Sequence, residues 1–484
     1  MKKVYRAHPF MIGTFIKPFL FVLVIPLITA LLQYFTDRKI TNILALEILA
    51  FSIILFIGIA RFAAFKLILT DDMLIIKSGI IFRRTSQINF SRISSFQTER
   101  NPLDMLFFSV SCRINTEAGS LKRSDFKFKL SRRSSNEISN FLYPDKTVSR
   151  VRFSAFRVAI MAAATSSAAT GMIIGVPIIN RVGKLLGIGL EQMLLDEINN
   201  VSSRLESFFP PIVNTVTLVF LLAYAISFAY SFIKNINFKL SFGEDRITVR
   251  SGFFVRIKTT FRRSRVNNVK IEQSLLMRLL RRYSMKVSVG GFDDAKSVSQ
   301  VIVPSARRKV IKWDLSEFFP ALSLNGRRLH PHNRPAVKNL FMMWPCVYLA
   351  FIINLAIYST VRFPDFARLI QFLTILMFGV LIVFTLTCIY EYRFGTLQLG
   401  ENVFARSNRW FSTCEMYCPK ENIGQVKVTR FPLDRKLGLC RVRITICSEN
   451  ADTIRVRHLD YAEATKEINK CFSLNEYFDK KDRK

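Results

Sequence analysis

Leu69–Phe96 reads LTDDMLIIKSGIIFRRTSQINFSRISSF, and Leu240–Val269 reads LSFGEDRITVRSGFFVRIKTTFRRSRVNNV. In each, a short apolar or alternating run meets Ser-Gly, at Ser78-Gly79 and Ser251-Gly252, and a second run follows, which is the pattern of strand, turn and strand. Thirteen residues after each glycine stands an arginine, Arg92 or Arg265, opening R-I-S-S-F and R-V-N-N-V. A leucine-rich turn comes next (Leu103 to Leu106; Leu275 to Leu279), then another strand (Val110–Ile114; Met285–Val289). A looser third copy runs through LQLGENVFARSNRWF (397–411) and NIGQVKVTRFPLDRKLGLCRVRITI (422–446). There Asn408 stands near the glycine position, as suits the residue that best tolerates positive φ after glycine. Asn422 replaces the arginine, so the role of that arginine is expected to be missing from copy three. Helix-like stretches close each copy, around Ser131–Leu142, Arg307–Phe319 and Tyr461–Phe478. Each copy is therefore expected to form a small curved antiparallel sheet or barrel capped by a helix.

Outward from these segments the chain turns apolar. Of 484 residues, 50% are hydrophobic, mean hydropathy is +0.24, and 70 Lys+Arg against 35 Asp+Glu give a net charge of +35. This excludes a disordered chain, a disulfide scaffold and a collagen-like protein, and suggests a membrane protein with basic material on one side. Six stretches approach spanning length: Ile16–Tyr34, Ile43–Ala60, Val158–Ile179, Ile212–Ile233, Phe341–Tyr358 and Leu369–Tyr390. They come in three pairs, each followed by a basic segment. The expected fold class is thus an α+β membrane protein with six transmembrane helices in three hairpins. Its predicted divisions are hairpins at 1–65, 151–235 (with an outer loop at 180–211) and 326–392, and domains at 66–150, 236–325 and 393–484. Lys/Arg bias puts both termini and all three domains on the cytoplasmic side of a multi-pass protein.

Within the third span Ala159, Ala163, Ser167, Gly171 and Gly175 recur every four residues as a helix-contact stripe, read as packing inside the bundle ahead of dimerisation. Pro177 is expected to bend that helix. The eight cysteines make no zinc pattern, the four histidines make no metal motif, and no cofactor or metal is expected.

The paired spans, strand–Ser-Gly–strand, R-[IV]-x-x-[FV] and leucine turn together resemble the bacterial pleckstrin-homology-like (bPH2-type) membrane proteins, and three tandem copies resemble the large six-span member. The resemblance implies a PH-like domain in each copy, no catalytic residues, a small one-domain membrane partner of the same family, and a loose link to envelope stress and antimicrobial resistance.

The segment Lys234–Lys338 carries the largest basic excess. Its densest part, Arg262, Arg263, Arg265 and then Arg278, Arg281 and Arg282 interleaved with Leu276, Met277, Leu279 and Leu280, is the candidate contact with anionic inner-leaflet lipids of the bacterial cell membrane or with a partner. The interleaved leucines read first as a barrel plug, with lipid contact as the alternative. No phosphate loop, nucleophile elbow or helix-turn-helix is present, so neither an enzyme nor nucleic-acid binding is favoured. A non-enzymatic membrane binding or scaffold protein is expected, with a transport or efflux component as the alternative.

Overall fold

The computed structural model describes residues 3–16, 42–80, 82–116, 126–144, 149–186, 189–204, 211–289, 300–322, 324, 326–331, 335–409, 412–446 and 452–472. Copy one contains β1 (Lys3–Arg6), β2 (Lys66–Leu69), β3 (Met73–Ser78), β4 (Arg84–Asn89), β5 (Ile93–Arg100), β6 (Ser109–Thr116) and β7 (Phe126–Ser131), closed by helix Arg132–Leu142. Copy two contains β8 (Ser149–Arg152), β9 (Lys239–Phe242), β10 (Arg246–Ser251), β11 (Arg256–Arg262), β12 (Val266–Gln273), β13 (Tyr283–Val289) and β14 (Gln300–Ala306), closed by helix Arg308–Phe318. Copy three contains β15 (Arg328–Leu329), β16 (Thr396–Gln398), β17 (Asn402–Arg409), β18 (Ser412–Pro419), β19 (Ile423–Thr429), β20 (Leu439–Ile446) and β21 (Thr453–Asp460), closed by helix Tyr461–Phe472. The first strand of each copy is separated from the rest by apolar helices. Strands of two to four residues, such as β1, β8 and β15, carry too little periodicity to be read from sequence.

Each copy supplies four strands to one sheet and three to another, and the sheets join copy to copy. The orders are β1-β2-β3-β4, β7-β6-β5-β11-β10-β9-β8, β14-β13-β12-β18-β17-β16-β15 and β19-β20-β21. The second half of copy one thus continues into the first half of copy two through β5·β11, and copy two into copy three through β12·β18. The chain divides into two compact units. One is Met1–Arg152, Asn237–Arg265 and Val289–Val298; the other is Phe153–Ile236, Val266–Ser288 and Ser299–Lys484. Copy two contributes one sheet to each.

In the first unit, the copy-one sheets and their closing helix bury Leu67, Leu74, Phe96, Ile114, Leu130 and Ile138 almost completely, at roughly 1.5–3 kcal/mol for each side chain. The predicted turn glycines take left-handed backbone, φ 103° at Gly79 and 102° at Gly252, and a Cβ on Gly79 would overlap the Phe82 carbonyl. Asn408 instead lies inside β17, paired with Thr413, so it does not take the turn position expected of it. A second left-handed position recurs sixteen residues after the motif position in every copy, at Phe108, Arg281 and Gly438, just after the one-turn helices Pro102–Leu106, Leu275–Leu279 and Pro432–Lys436.

In the second unit, Leu397, Val403, Cys418, Cys440, Val442 and Ile444 form the copy-three core. Burial pushes the Cys440 thiol up to about 12, so it packs as a small hydrophobe. Across the β12·β18 joint, Asp452 accepts from Lys270 Nζ at 2.6 Å, Ser288 Oγ at 2.6 Å and Asn268 Nδ2 at 3.2 Å. Removing one member of a buried ion pair strands the other. Asp452→Asn is therefore expected to cost about 3 kcal/mol, read as a lower denaturant midpoint, whereas Glu463→Gln, whose partner Arg327 is mostly exposed, should cost less than about 1 kcal/mol.

The expectation of six transmembrane helices in three hairpins is corrected by the structure. Among the described residues one helix, Val213–Asn235, is long and apolar enough to cross a bilayer. The supposed third span is two helices, Ala155–Thr165 and Ala168–Lys184, bent by 98°. Leu49–Ala64, Val347–Arg362 and Leu369–Val383 are apolar helical stretches of fewer than 18 residues, and the predicted first span lies almost wholly outside the described residues. Hydropathy counts side chains and is blind to breaks in the backbone ladder. At the bend, Ser166 is extended (φ −71°, ψ 148°) with its hydroxyl on the Ala162 carbonyl, and Ser167 Oγ accepts from Thr170 N at 3.2 Å. This serine pair makes the bend, whereas Pro177 lies inside the second helix.

The stripe is consequently split. Ala159 and Ala163 lie on one helix, Ser167 caps the next, and Gly171 and Gly175 face helix Pro211–Asn235 within the same unit. Tyr224 Oη donates to the Ala163 carbonyl at 2.8 Å, and Ser167 N donates to Ser227 Oγ at 3.2 Å.

Candidate functional site

In the first unit the β5·β11 joint floors a cleft of about 530 Å³. Pairing sets Lys258 opposite Thr98 and Arg256 opposite Arg100. The cleft also takes Arg132 from the first turn of the closing helix, and Lys239 and Arg250 from β9 and β10. None of its fourteen lining residues is acidic. A smaller cleft of about 280 Å³ shares Lys239 and Arg250 and adds Arg150, Arg152 and Arg246. The carboxylate acting on Arg100 is Asp104, which Lys129 and Ser109 already hold at 2.6 Å each.

Crowding of like charge has visible consequences. Burial, followed by the fields of Arg250 and Arg246, pulls the Lys258 ammonium down to about 8, while its Nζ donates to Ser139 Oγ at 3.2 Å. Burial and neighbouring cations also lower Arg100 and Arg250. Like charges directly opposite on paired strands, as Arg100 and Arg256 are, destabilise a sheet.

The second unit contains the equivalent site with the opposite charge plan. Counted from the motif position, Lys258 stands seven residues before Arg265 and Glu415 seven before Asn422. Arg132 and Arg308 each open a closing helix, and Arg250 and Arg406 each precede the serine of the hairpin. Glu415 is buried, accepts from Arg308 at 2.9 Å and forms an ion pair with Arg406 Nε at 3.4 Å. Burial draws Arg308 down, but the Glu415 carboxylate and Tyr283 outweigh it and the net shift is upward. Thr413 opposite Gln273 replaces the arginine pair. One joint neutralises its arginines internally; the other adds a lysine to them.

The six arginines singled out in the sequence divide between units: Arg262, Arg263 and Arg265 in the first, Arg278, Arg281 and Arg282 in the second. Arg265 donates to the Ser91 carbonyl at 2.7 Å, from copy two to copy one. Asn422 Nδ2 donates to the Asn267 carbonyl at 3.2 Å, from copy three to copy two. Both are bonds back to the preceding copy, so the expected loss of this role in copy three is corrected: asparagine performs it. Arg92, in copy one, is exposed. Arg278 donates to Thr413 Oγ1 at 2.7 Å across the β12·β18 joint, and Arg281 is exposed on left-handed backbone.

Reading the interleaved leucines as a plug is also corrected. Met277 is buried, but Leu275 and Leu279 are 57% and 82% exposed, and in copy one Leu103, Leu106 and Phe108 are 62%, 69% and 72% exposed. A one-turn helix is too short to have an inward face for every apolar side chain. The cleft cations were missed because they come from four strands and a helix far apart in sequence. The available signal was the aligned change of Glu415 to Lys258.

Among the described residues no group of three or more His, Cys, Asp and Glu is arranged to hold a metal. No curated protein matches the chain. The model of a bacterial PH domain, bPH_2, matches residues 10–144, 188–313 and 349–470. Each match starts after the first strand of a copy, ahead of the remaining six, and ends in or just after the closing helix, so apart from that first strand the recurring copies and the family's unit coincide, and the chain belongs to the bacterial PH domain family, with three copies in tandem.

Proposed function

We propose that the protein is a non-enzymatic binding and scaffold protein at the inner face of a bacterial cell membrane, and that its first unit takes a phosphate-bearing anionic headgroup in the Lys258 cleft. The observation that carries this reading is the charge reversal: where Glu415 answers two arginines in one joint, Lys258 joins them in the other, leaving a concentrated field for an outside anion. PH-like domains are generally binding modules without catalysis, in keeping with this. The exposed Leu103, Leu106 and Phe108, and Leu275, Leu279 and Leu280 among Arg278, Arg281 and Arg282, suit insertion at an anionic interface. Arg262 and Arg263 add to the same basic surface charge, and Lys239 follows the end of the span-length helix by four residues.

The test is the unfolding temperature of the full-length protein in detergent with added phosphatidylglycerol or phosphatidylcholine. Ligand near a hundredfold above its Kd stabilises by about 2.7 kcal/mol, so phosphatidylglycerol is expected to raise the transition by about 5 °C, with no rise for phosphatidylcholine. Equal rises with both lipids, or a rise that survives Lys258→Glu, would reject the assignment.

A further inference from the structure

The two joints between copies are the same interface used twice. In the first, Thr260, five residues before Arg265, pairs with Phe96, four after Arg92. In the second, Tyr417, five before Asn422, pairs with Val269, four after Arg265. Register and direction are identical, and each joint carries the bond from the motif residue to a backbone carbonyl of the preceding copy.

A chain of three copies makes two such joints and leaves one half-joint at each end. At the front is β4, the counterpart of β11 and β18; at the back is β19, the counterpart of β5 and β12. Among the described residues neither has a strand neighbour on its joint side. Burial follows the pairing. One residue of β4 is buried, against three in β11 and five in β18; none in β19 is buried, against four in β5 and five in β12.

Sheet edges left open are normally guarded by charge or proline. The outer edges here follow that rule, with Lys127 in β7, Pro304 in β14, and Arg455 and Arg457 in β21. β4 and β19 have no proline and one cation each, Arg84 at the start of β4 and Lys427 in β19, and Thr85–Ile88 and Ile423–Val426 carry neither charge nor proline.

We propose that β4 of one molecule pairs with β19 of a second copy of this chain, antiparallel, in the register of the internal joints. That register sets Gln87 opposite Val426 and Ser86 opposite Lys427. Arg92 then occupies the place of Arg265 and Asn422 and donates to the partner backbone near Glu421, the counterpart of Ser91. Main-chain hydrogen bonding supplies the affinity, as in strand addition. Because front and back differ, the contact is head-to-tail, giving chains or closed rings of molecules.

Cross-linking of full-length protein tests this. Directly opposite residues on antiparallel strands lie about 4.5–5.5 Å apart at Cα, within the range a disulfide spans. Protein carrying Ser86→Cys alone is mixed with protein carrying Lys427→Cys alone and oxidised. A disulfide-linked dimer of the two variants is expected. A Ser86→Cys protein mixed with Gly424→Cys protein, out of register, should give little. As a readout independent of substitution, hydrogen exchange of the unaltered protein should show β4 and β19 amides gaining protection as concentration rises, while β11 and β18 stay protected throughout. Loss of the charge-assisted bond in Arg92→Ala should raise the concentration for half-assembly about tenfold. Three outcomes overturn the proposal: no cross-link between the two single variants together with concentration-independent exchange; a bond formed only within one molecule when both cysteines are on the same chain; or capture of a different bacterial PH domain protein in place of the second copy.

Discussion

Lys258→Glu is expected to raise the stability of the unliganded protein by about 2 kcal/mol and to abolish its response to anions. A glutamate there reproduces the Glu415 site, with Arg132 and Arg250 in the places of Arg308 and Arg406. It also removes an ammonium that burial and two arginines disfavour. Lys258→Met separates the two contributions, since it removes the buried cation without supplying a carboxylate, and should give about half the gain. The pH dependence has a defined sign. The folded pKa is about 8, and an unfolded lysine titrates near 10.4. Between these values the unfolded chain holds more protons, so stability rises with pH across that window, and the penalty is fully present below pH 8. Binding an anion runs the other way: it favours the charged lysine, so above pH 8 binding must take up a proton and affinity falls. Thermal scans from pH 7 to 10, with and without phosphatidylglycerol, read both slopes. A flat unliganded profile that is unchanged in Lys258→Met would mean that the lysine is not held in this field.

Gly171→Ala should be the more damaging of two otherwise similar substitutions, at about 3 kcal/mol or more, with Gly175→Ala near 1 kcal/mol. A Cβ at Gly171 would overlap the backbone carbonyl of Ala223, which cannot yield without moving helix Pro211–Asn235. At Gly175 the obstacle is the Ile226 side chain, 2.9 Å from the added carbon at its Cδ1, and a flexible methyl can turn aside. The comparison is read from unfolding temperatures of the purified variants. Equal losses at the two positions would contradict this helix contact.

Family membership and sheet membership divide this chain differently, and the cationic cleft follows the second division. The family's unit runs from the helices through both sheets of one copy. The seven-stranded sheets run from the back of one copy to the front of the next. The cationic cleft exists only because β5 of copy one and β11 of copy two are neighbours, copy one supplying six of its lining residues and copy two eight.

What the sequence determined by itself was whatever depends on neighbours along the chain. The Ser-Gly turns at 78–79 and 251–252, the strands flanking them, the closing helices and the threefold recurrence were all legible, because turn chemistry and strand periodicity act over a few residues. Apolar composition was legible too, but the continuity of a helix was not. Ser166 and Ser167 end one by taking up carbonyl and amide groups with their own hydroxyls, at little cost in hydropathy. Tertiary structure alone decided which strand edges meet, since the main-chain groups forming a joint are the same in every strand. It thereby decided that Asn422 does the work of Arg265, that Leu275 and Leu279 face outward, and that Lys258 gathers with arginines from both copies.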